Sequence, residues 1–185
     1  EVAAAKLNKE AALFMPSRTM ANLTAAMSHC QRGDELIMGN KSHTFRWEAG
    51  GVAVAGGIQP HLLPNKSDGT LELDDIRAAI RNDNIPFPRS RAIFLENTHN
   101  NCGGVAIPPE YFDQVRQIAD QHQLKLHLDG ARLFNAAVAL NRPVTDFTQY
   151  ADRVRCCLSS GLCAPIGSIL AGSQQFIYYA RRARR

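Results

Sequence analysis

The stretch Leu124-Lys125-Leu126-His127-Leu128-Asp129-Gly130-Ala131-Arg132 indicates the fold class. Its leucines alternate with polar residues, as on a strand with one face against an apolar core. An amphipathic helical pattern precedes it over residues 109–122, and a second helical pattern follows it over residues 131–140. A strand between two helices is typical of α/β domains built around a parallel sheet. The stretch therefore predicts a central strand that ends at Asp129.

Strand and helix patterns continue to alternate in both directions from this point. The predicted strands are residues 12–15, 35–39, 58–63, 92–95, 124–128, 154–158 and 167–171. The predicted helices are residues 19–30, 43–49, 73–81, 109–122 and 131–140, followed by a basic helical end at residues 180–185. Because there is no fixed-period repeat and no linker-like shift in composition, we expect a single domain. The predicted fold is an α/β domain with a mainly parallel, seven-stranded type of sheet flanked by helices.

Composition narrows the class of protein further. The 185 residues are 45% hydrophobic and 21% charged, which is ordinary for a globular domain. No apolar run approaches the ~20 residues that a membrane span needs. The net charge is +4, and much of it lies in residues 180–185, Ala-Arg-Arg-Ala-Arg-Arg. A basic tail can contact nucleic acid, but no aromatic interleaving accompanies it, so we interpret it as a solvated helix end.

The cysteines argue against a zinc site. There are five of them, none forms a C-x-x-C pair, and no His/Cys grouping has zinc-ligand spacing. Cys156 and Cys157 lie in an apolar run and are predicted to be small core residues. An odd number of cysteines without such spacing favours a reduced, cytoplasmic compartment.

Polar residues gather where predicted strands end, which is where open α/β sheets bind ligands. Asp129 is placed to pair with a ring-nitrogen cation, and Arg132 to bind a carboxylate. The alternative is a helix cap with a local ion pair between these two residues. Ser17 and Thr19 open a helix after the first strand, as phosphate donors or as an ordinary N-cap.

Two histidines and a serine pair occupy similar positions. His99 and His43 each follow a strand and are candidates for proton transfer, or are simply exposed. Ser159 and Ser160 lie in a turn of small residues between two strands, yet no G-x-S-x-G elbow surrounds them. Spacing alone predicts a strand-end site for a phosphorylated ligand and does not identify the ligand.

Several runs, in order, resemble the threonine aldolases, which belong to the aspartate-aminotransferase-like fold type I of pyridoxal-phosphate (PLP) enzymes. The runs are Pro16-Ser17-x-Thr19 with Asn22-Leu23, Ser42-His43 with Glu48-Ala49-Gly50-Gly51, Leu95-Glu96-Asn97-Thr98-His99-Asn100, His127-Leu128-Asp129-Gly130-Ala131-Arg132-Leu133-Phe134-Asn135-Ala136, and Cys157-Leu158-Ser159-x-Gly161-Leu162-x-Ala164-Pro165-x-Gly167-Ser168. Each run is weak alone, whereas the ordered set across nearly the whole chain is specific. The resemblance implies a PLP-dependent lyase that cleaves L-threonine or allo-threonine to glycine and acetaldehyde.

The resemblance also implies a set of site residues. Those expected at the cofactor are Ser17, Thr19, Ser159, His43 and Asp129, where His43 stacks on the ring and Asp129 pairs with its nitrogen. Arg132 is expected to bind the substrate carboxylate, with His99 lining the site. A homo-oligomer, by family a homotetramer, is implied, with an amino-acid substrate, no nucleic acid, no membrane and no metal.

Three positions depart from the family pattern. Arg18 and Cys163 stand where the family has glycine, and Ser160 stands where it has the Schiff-base lysine. We expect the Cβ of Arg18 to obstruct the phosphate loop or to require an unfavourable φ; the alternative is that its guanidinium adds a cation for the phosphate. Because serine cannot form an imine, two alternatives follow: a lyase altered at position 160, or a non-catalytic homologue that keeps the fold for PLP binding or subunit association. Another PLP lyase of the same fold type is a weaker third reading.

The boundaries of the chain carry a further expectation. It begins without methionine and ends in the basic segment. We expect residues 1–185 to be the PLP-binding large domain of a longer protein, without an N-terminal segment and a C-terminal small domain.

Overall fold

The alternating apolar runs form one seven-stranded sheet in the computed structural model, which describes residues 1–185. The strands are β1 (Ala11–Met15), β2 (Glu35–Gly39), β3 (Gln59–Leu63), β4 (Ser90–Glu96), β5 (Lys125–Gly130), β6 (Arg153–Cys157) and β7 (Ser168–Gly172). They lie in the order β1-β7-β6-β5-β4-β2-β3. Strands β2 to β6 are parallel where they pair, and β7 is antiparallel to both of its neighbours. The predicted mainly parallel α/β fold is confirmed.

Helices cover both faces of the sheet. They are α1 (Val2–Lys6), α2 (Arg18–His29), α3 (His43–Arg46), α4 (Gly51–Val54), α5 (Leu73–Ala79), α6 (Pro109–Gln121), α7 (Leu133–Ala139), α8 (Val144–Thr148) and α9 (Gln174–Ala183), with a 3₁₀ turn at Asn100–Cys102. Ser17 caps α2, since its Oγ accepts a hydrogen bond from the Met20 amide at 3.1 Å. Pro109 begins α6, where a missing amide proton costs nothing. None of these helices is both long enough and apolar enough to cross a membrane.

Strand alternation divides the interior into two apolar clusters. On β4, Ile93 and Leu95 belong to the cluster under α5 to α8, whereas Ala92 and Phe94 belong to the cluster under α2, α4 and α9. Successive side chains of a strand point to opposite faces, so β4 contributes to both clusters. The face of the sheet that is covered by α2, α4 and α9 is called the α2 face. It also carries the polar side chains of β5.

The short helix predicted at residues 43–49 is wrong in its length. Helix α3 ends at Arg46, and α4 starts separately at Gly51. Ala49 and Gly50 have φ values of 52° and 65°, and two left-handed residues in succession cannot continue an α-helix. The sequence reading also missed α1, α4 and α8, which have five residues or fewer and so little periodicity.

One buried polar side chain on the α2 face has no hydrogen-bond partner. Both ring nitrogens of His127 are buried and unpartnered, and its ring lies 4.3 Å from that of Phe94 between centroids. Burial, together with the charges of Arg155 and Arg153, lowers the pKa of His127 to about 3 despite the nearby Asp129 carboxylate. His29, whose ring stacks on Phe176 of α9, also has a pKa well below its ordinary value, because burial disfavours its charged form.

We expect acid to destabilise the protein in part through His127. Its folded-state pKa lies below the unfolded value, so the unfolded chain binds the extra proton and stability falls as pH drops below ~6.5 towards 3. His127→Leu should remove roughly 1–1.5 kcal/mol of the stability lost between pH 8 and pH 5.5. Urea unfolding at a series of pH values measures this. His122→Leu, at an exposed position beside α6, is the control and should keep the parent's pH dependence; an unchanged slope in His127→Leu would contradict the assignment.

Candidate functional site

The strand-end residues meet at one edge of the sheet. Asp129 lies at the end of β5, while His43, His99 and Ser160 follow β2, β4 and β6 by a few residues each. Because these four strands are parallel and adjacent, their carboxyl ends lie together. This edge, with the first turns of α2 and α3, is the candidate site.

Strand register places three charged side chains next to one another. Glu96 on β4 is paired with Asp129 on β5, and Asp129 is paired with Arg155 on β6. Paired residues on parallel strands point to the same face. All three are buried, with Arg155 entirely inaccessible to solvent. A row of acid, acid and base therefore lies inside the α2 face.

Asp129 is compensated by residues that come from two other elements. One carboxylate oxygen, Oδ1, forms an ion pair with the guanidinium of Arg155. The other, Oδ2, accepts a hydrogen bond from the Asn22 side chain of α2 at 2.8 Å. Burial alone would raise the pKa of Asp129, but Arg155, then Arg18, and the hydrogen bond from Asn22 bring it down to about 2. Asp129 is thus ionised across the physiological range.

Asn22 extends this network to the loop after β2. Its Nδ2 also donates to Oε1 of the buried Glu48 at 2.8 Å, and His43 Nδ1 lies 2.9 Å from the same oxygen. His43, Glu48 and Asp129 consequently offer ligand atoms within 4.8 Å of one another. Both carboxylates already accept hydrogen bonds from Asn22, so the cluster is accounted for by the network itself.

Glu96 accepts hydrogen bonds from backbone amides, and its pKa differs from that of its neighbour Asp129. Its oxygens accept from the amides of His43 at 2.8 Å and Asn100 at 3.2 Å. Burial and the adjacent Asp129 charge outweigh these bonds and raise the pKa of Glu96 to about 7. Two neighbouring carboxyl groups with separated pKa values are typical of functional sites.

Arg18 brings a second guanidinium into the site. It is the first residue of α2, and its φ is negative, so the expected backbone strain at this position is wrong. Its Nε and Nη2 atoms are buried without partners, close enough to Asp129 and Glu96 to interact through charge. Burial lowers the pKa of Arg18 from its ordinary value. The replacement of glycine by Arg18 therefore changes the site through the charged side chain and not through backbone strain.

The turn after β6 surrounds a thiol with hydroxyls. Cys157 Sγ lies 3.3 Å from Ser159 Oγ. Burial raises the pKa of the Cys157 thiol, but the hydrogen bond with Ser159 and the nearby hydroxyls of Ser160 and Ser168 have the larger, opposite effect and lower the pKa to about 7. Cys163 has a φ of 57°, a left-handed conformation that costs a side-chain-bearing residue roughly 1 kcal/mol.

The remaining predicted residues lie around the edge of this network. Arg132 donates from Nη1 to Asn100 Oδ1 at 2.9 Å, so the local ion pair considered between Asp129 and Arg132 is wrong. His99 is buried, its Nδ1 has no partner, and its pKa is lowered by burial. The Ser17 Oγ accepts a hydrogen bond as a helix cap, while Thr19 lies in the first turn of α2.

Sequence reasoning missed Arg155, the residue with the most direct contact to Asp129. A signal was present, because arginine alternates with Val154 and Cys156 in a run predicted to be a buried strand. A charge at such a position requires a buried partner. Identifying that partner as Asp129 requires the register between β5 and β6.

Comparison with known proteins identifies the family. Residues 1–185 match the beta-eliminating lyase family along their whole length. The chain belongs to that family. It is 48% identical over 188 residues to the low-specificity L-threonine aldolase 1 of Arabidopsis thaliana, covering 100% of this chain and 52% of the relative. It is 45% identical over 185 residues to the low specificity L-threonine aldolase of Escherichia coli K12, covering 100% and 55%.

Solved structures agree on the fold of this beta-eliminating lyase family member. The threonine aldolase of Leishmania major superposes with a TM-score of 0.82 over 97% of this chain and 54% of that one, at 20% identity. Together with the family match and the two relatives above, this likeness in fold confirms the resemblance to the fold type I threonine aldolases. The chain spans about half the length of the curated relatives it matches.

We expect Glu96→Gln to change how stability depends on pH. The folded-state pKa of Glu96 is raised to about 7, so the folded state holds the proton more tightly and parent stability is lost as pH rises from ~4.5 to 7. The variant has no such proton and should gain roughly 2 kcal/mol relative to the parent between pH 5 and pH 8. Urea unfolding of both proteins measures the difference. Glu72→Gln, on the exposed N-cap of α5, is the control, and a constant difference between Glu96→Gln and the parent would refute the raised pKa.

Proposed function

We propose that this chain is the large, cofactor-binding domain of a threonine-aldolase-type lyase, altered at the position of the catalytic amine. The observation that carries the proposal is the buried, ionised Asp129 at the carboxyl end of a central parallel strand, with His43 and Arg132 at the same edge. The substrate class is a β-hydroxy-α-amino acid such as L-threonine or allo-threonine. The products are glycine and acetaldehyde.

PLP is the cofactor that we propose for this class, and when bound it supplies an electron sink for the carbanion left by carbon–carbon cleavage. By resemblance, Asp129 faces the ring nitrogen and His43 covers the ring, with Ser17, Thr19 and Ser159 at the phosphate. Arg132 is proposed to bind the substrate carboxylate, since its guanidinium is partly exposed and is held by Asn100. His99 is proposed to line the site.

Two features of the structure do not fit a covalently bound PLP. Position 160 carries a hydroxyl, and a serine cannot form an imine with the cofactor aldehyde. Asp129 is already paired with a buried arginine. We therefore derive no catalytic step for this chain. The lyase reaction is proposed for the protein only with lysine at position 160.

The second candidate is a non-catalytic homologue that keeps the fold for subunit association or noncovalent binding of PLP. The ion pair between Arg155 and Asp129 favours it, because it neutralises the site without a ligand. The loss of three family residues in the loops of one edge, at positions 18, 160 and 163, favours it as well.

The exposed aromatic residues and the cysteines support proposals for assembly and compartment. We propose a homo-oligomer, supported by the exposed Phe45 and Trp47 beside His43. A cytoplasmic location is proposed because all five cysteines are unpaired, as in reducing compartments.

We expect Ser160→Lys to allow covalent attachment of PLP when the cofactor is in excess, because an imine at residue 160 can form even where the ring itself is bound weakly. Borohydride reduction followed by peptide mass spectrometry should find the cofactor on residue 160. Ser159→Lys, one residue earlier in the same turn, is the matched control and should show no trapping at the introduced lysine. Trapping on both variants alike would contradict the assignment of position 160.

Attachment alone is not expected to restore cleavage. Acetaldehyde release from threonine should require at least both Ser160→Lys and Arg18→Gly in the full-length protein, because Nε and Nη2 of Arg18 are buried at the site. Turnover by the unmodified chain would show that a residue other than 160 supplies the amine.

A further inference from the structure

Arg155 is an unusual side chain for the centre of a sheet. It lies on β6, is entirely inaccessible to solvent, and forms an ion pair with Asp129. Its Nε lies 3.4 Å from Asn22 Oδ1, and its Nη1 is buried without any partner. A guanidinium keeps its proton even when buried, so this position holds a permanent positive charge.

Such a charge is tolerated inside a protein only beside an anion. Moving an isolated guanidinium out of water is unfavourable by far more than any single hydrogen bond returns. Asp129 is the carboxylate that compensates it, and strand register holds the two side chains on the same face. Asp129 in turn has Asn22 as its only other hydrogen-bond donor. Each carboxylate oxygen therefore already has a partner within the protein.

The same carboxylate is the group that would meet the cofactor ring. In PLP sites a carboxylate keeps the pyridine nitrogen protonated by pairing with it. That ring nitrogen is also a cation, so Arg155 and the ring compete for one negative charge. The Arg18 guanidinium, within reach of Asp129 and Arg155, adds a second positive charge to the same region. Like charges brought together in a buried site oppose binding strongly.

We propose that Arg155 is a built-in counterion for Asp129, which takes the electrostatic place of the protonated cofactor ring and holds this site in a cofactor-free state. The inference rests on the proposed function, because it takes the Asp129 edge to be the former ring-nitrogen site. It gives Arg155 a role in holding Asp129, and Arg155 is not among the residues on which the family resemblance rests. It also implies that the domain folds without ligand and binds the ring poorly.

The test uses pyridoxine 5′-phosphate, which has the ring nitrogen and the phosphate but no aldehyde, so that it cannot react with lysines. Arg155→Met keeps most of the side-chain volume and removes the charge. Without ligand, it should unfold at a lower temperature than the parent because Asp129 loses its partner. Binding of pyridoxine phosphate, measured by calorimetry and by the rise in melting temperature, should be about tenfold tighter or more than in the parent.

Three variants separate this effect from a general weakening of β6. Arg153→Met removes the arginine two residues earlier on the same strand, whose contact is to Asp152, and should bind the ligand no better than the parent. Arg155→Lys keeps a cation and should also bind poorly. The double variant Arg155→Met with Asp129→Asn removes both charges, so it should regain stability yet show no ligand-induced rise.

The outcomes distinguish the inference from the proposed function. Parent binding as tight as that of Arg155→Met would overturn the counterion assignment and leave Asp129 as a cofactor site. Failure of a folded Arg155→Met to bind would remove the ring-nitrogen site, and the proposed function with it. If Arg155→Met folds only with ligand, the inference is supported. If it fails to fold even with ligand while the double variant folds, the ring does not replace the guanidinium and the inference is wrong.

Discussion

The charge of Asp129 is the constraint on which the candidate site depends. The carboxylate is buried on a central strand, where water cannot solvate it, so surrounding elements must supply its counter-charge and its hydrogen bonds. Arg155 does so from the next strand and Asn22 from the covering helix. Asn22 then links Asp129 to Glu48, and Glu48 links to His43. One buried charge thereby orders the ends of β5 and β6, the second turn of α2 and the loop after β2.

Two neighbouring carboxyl groups at this edge have pKa values shifted in opposite directions. Asp129 is beside guanidinium groups and stays ionised, whereas Glu96 is beside Asp129 and has a raised pKa. Ionising both would place two negative charges on paired residues of adjacent strands, which burial makes unfavourable. The edge therefore has the electrostatic character of a functional site, although the turn after β6 offers hydroxyls and thiols and no amine.

The departures from the threonine aldolase pattern leave the fold intact because they avoid its apolar clusters. Cys163 and Ser160 lie in the turn after β6, and Arg18 begins α2. The cluster under α5 to α8 uses none of these positions, and the cluster under α2 uses residues deeper in that helix, such as Ala21 and Ala25. Packing and chemistry are separable here, so high identity to the aldolases supports the fold more directly than it supports turnover.

The sequence by itself determined the strands, their order of alternation with helices and the residues at their ends. Local periodicity carries this information, as at β5, where leucines alternate with polar residues. It also identified Asp129, His43, His99 and Ser160 as strand-end residues. Very short helices such as α4 were missed because five residues or fewer are too few to show a helical periodicity of apolar residues.

Only the tertiary structure decided which residues compensate one another. Arg155 is 26 positions from Asp129 and Asn22 is 107 positions away, so neither contact follows from local spacing. Parallel register places Arg155 beside Asp129, and packing of α2 on the sheet brings Asn22 to its second oxygen. Register and packing are properties of whole elements meeting in space, and a shift of one residue would have turned Arg155 to the other face. The charge compensation of Asp129 therefore depends on long-range contacts that cannot be predicted from the local sequence.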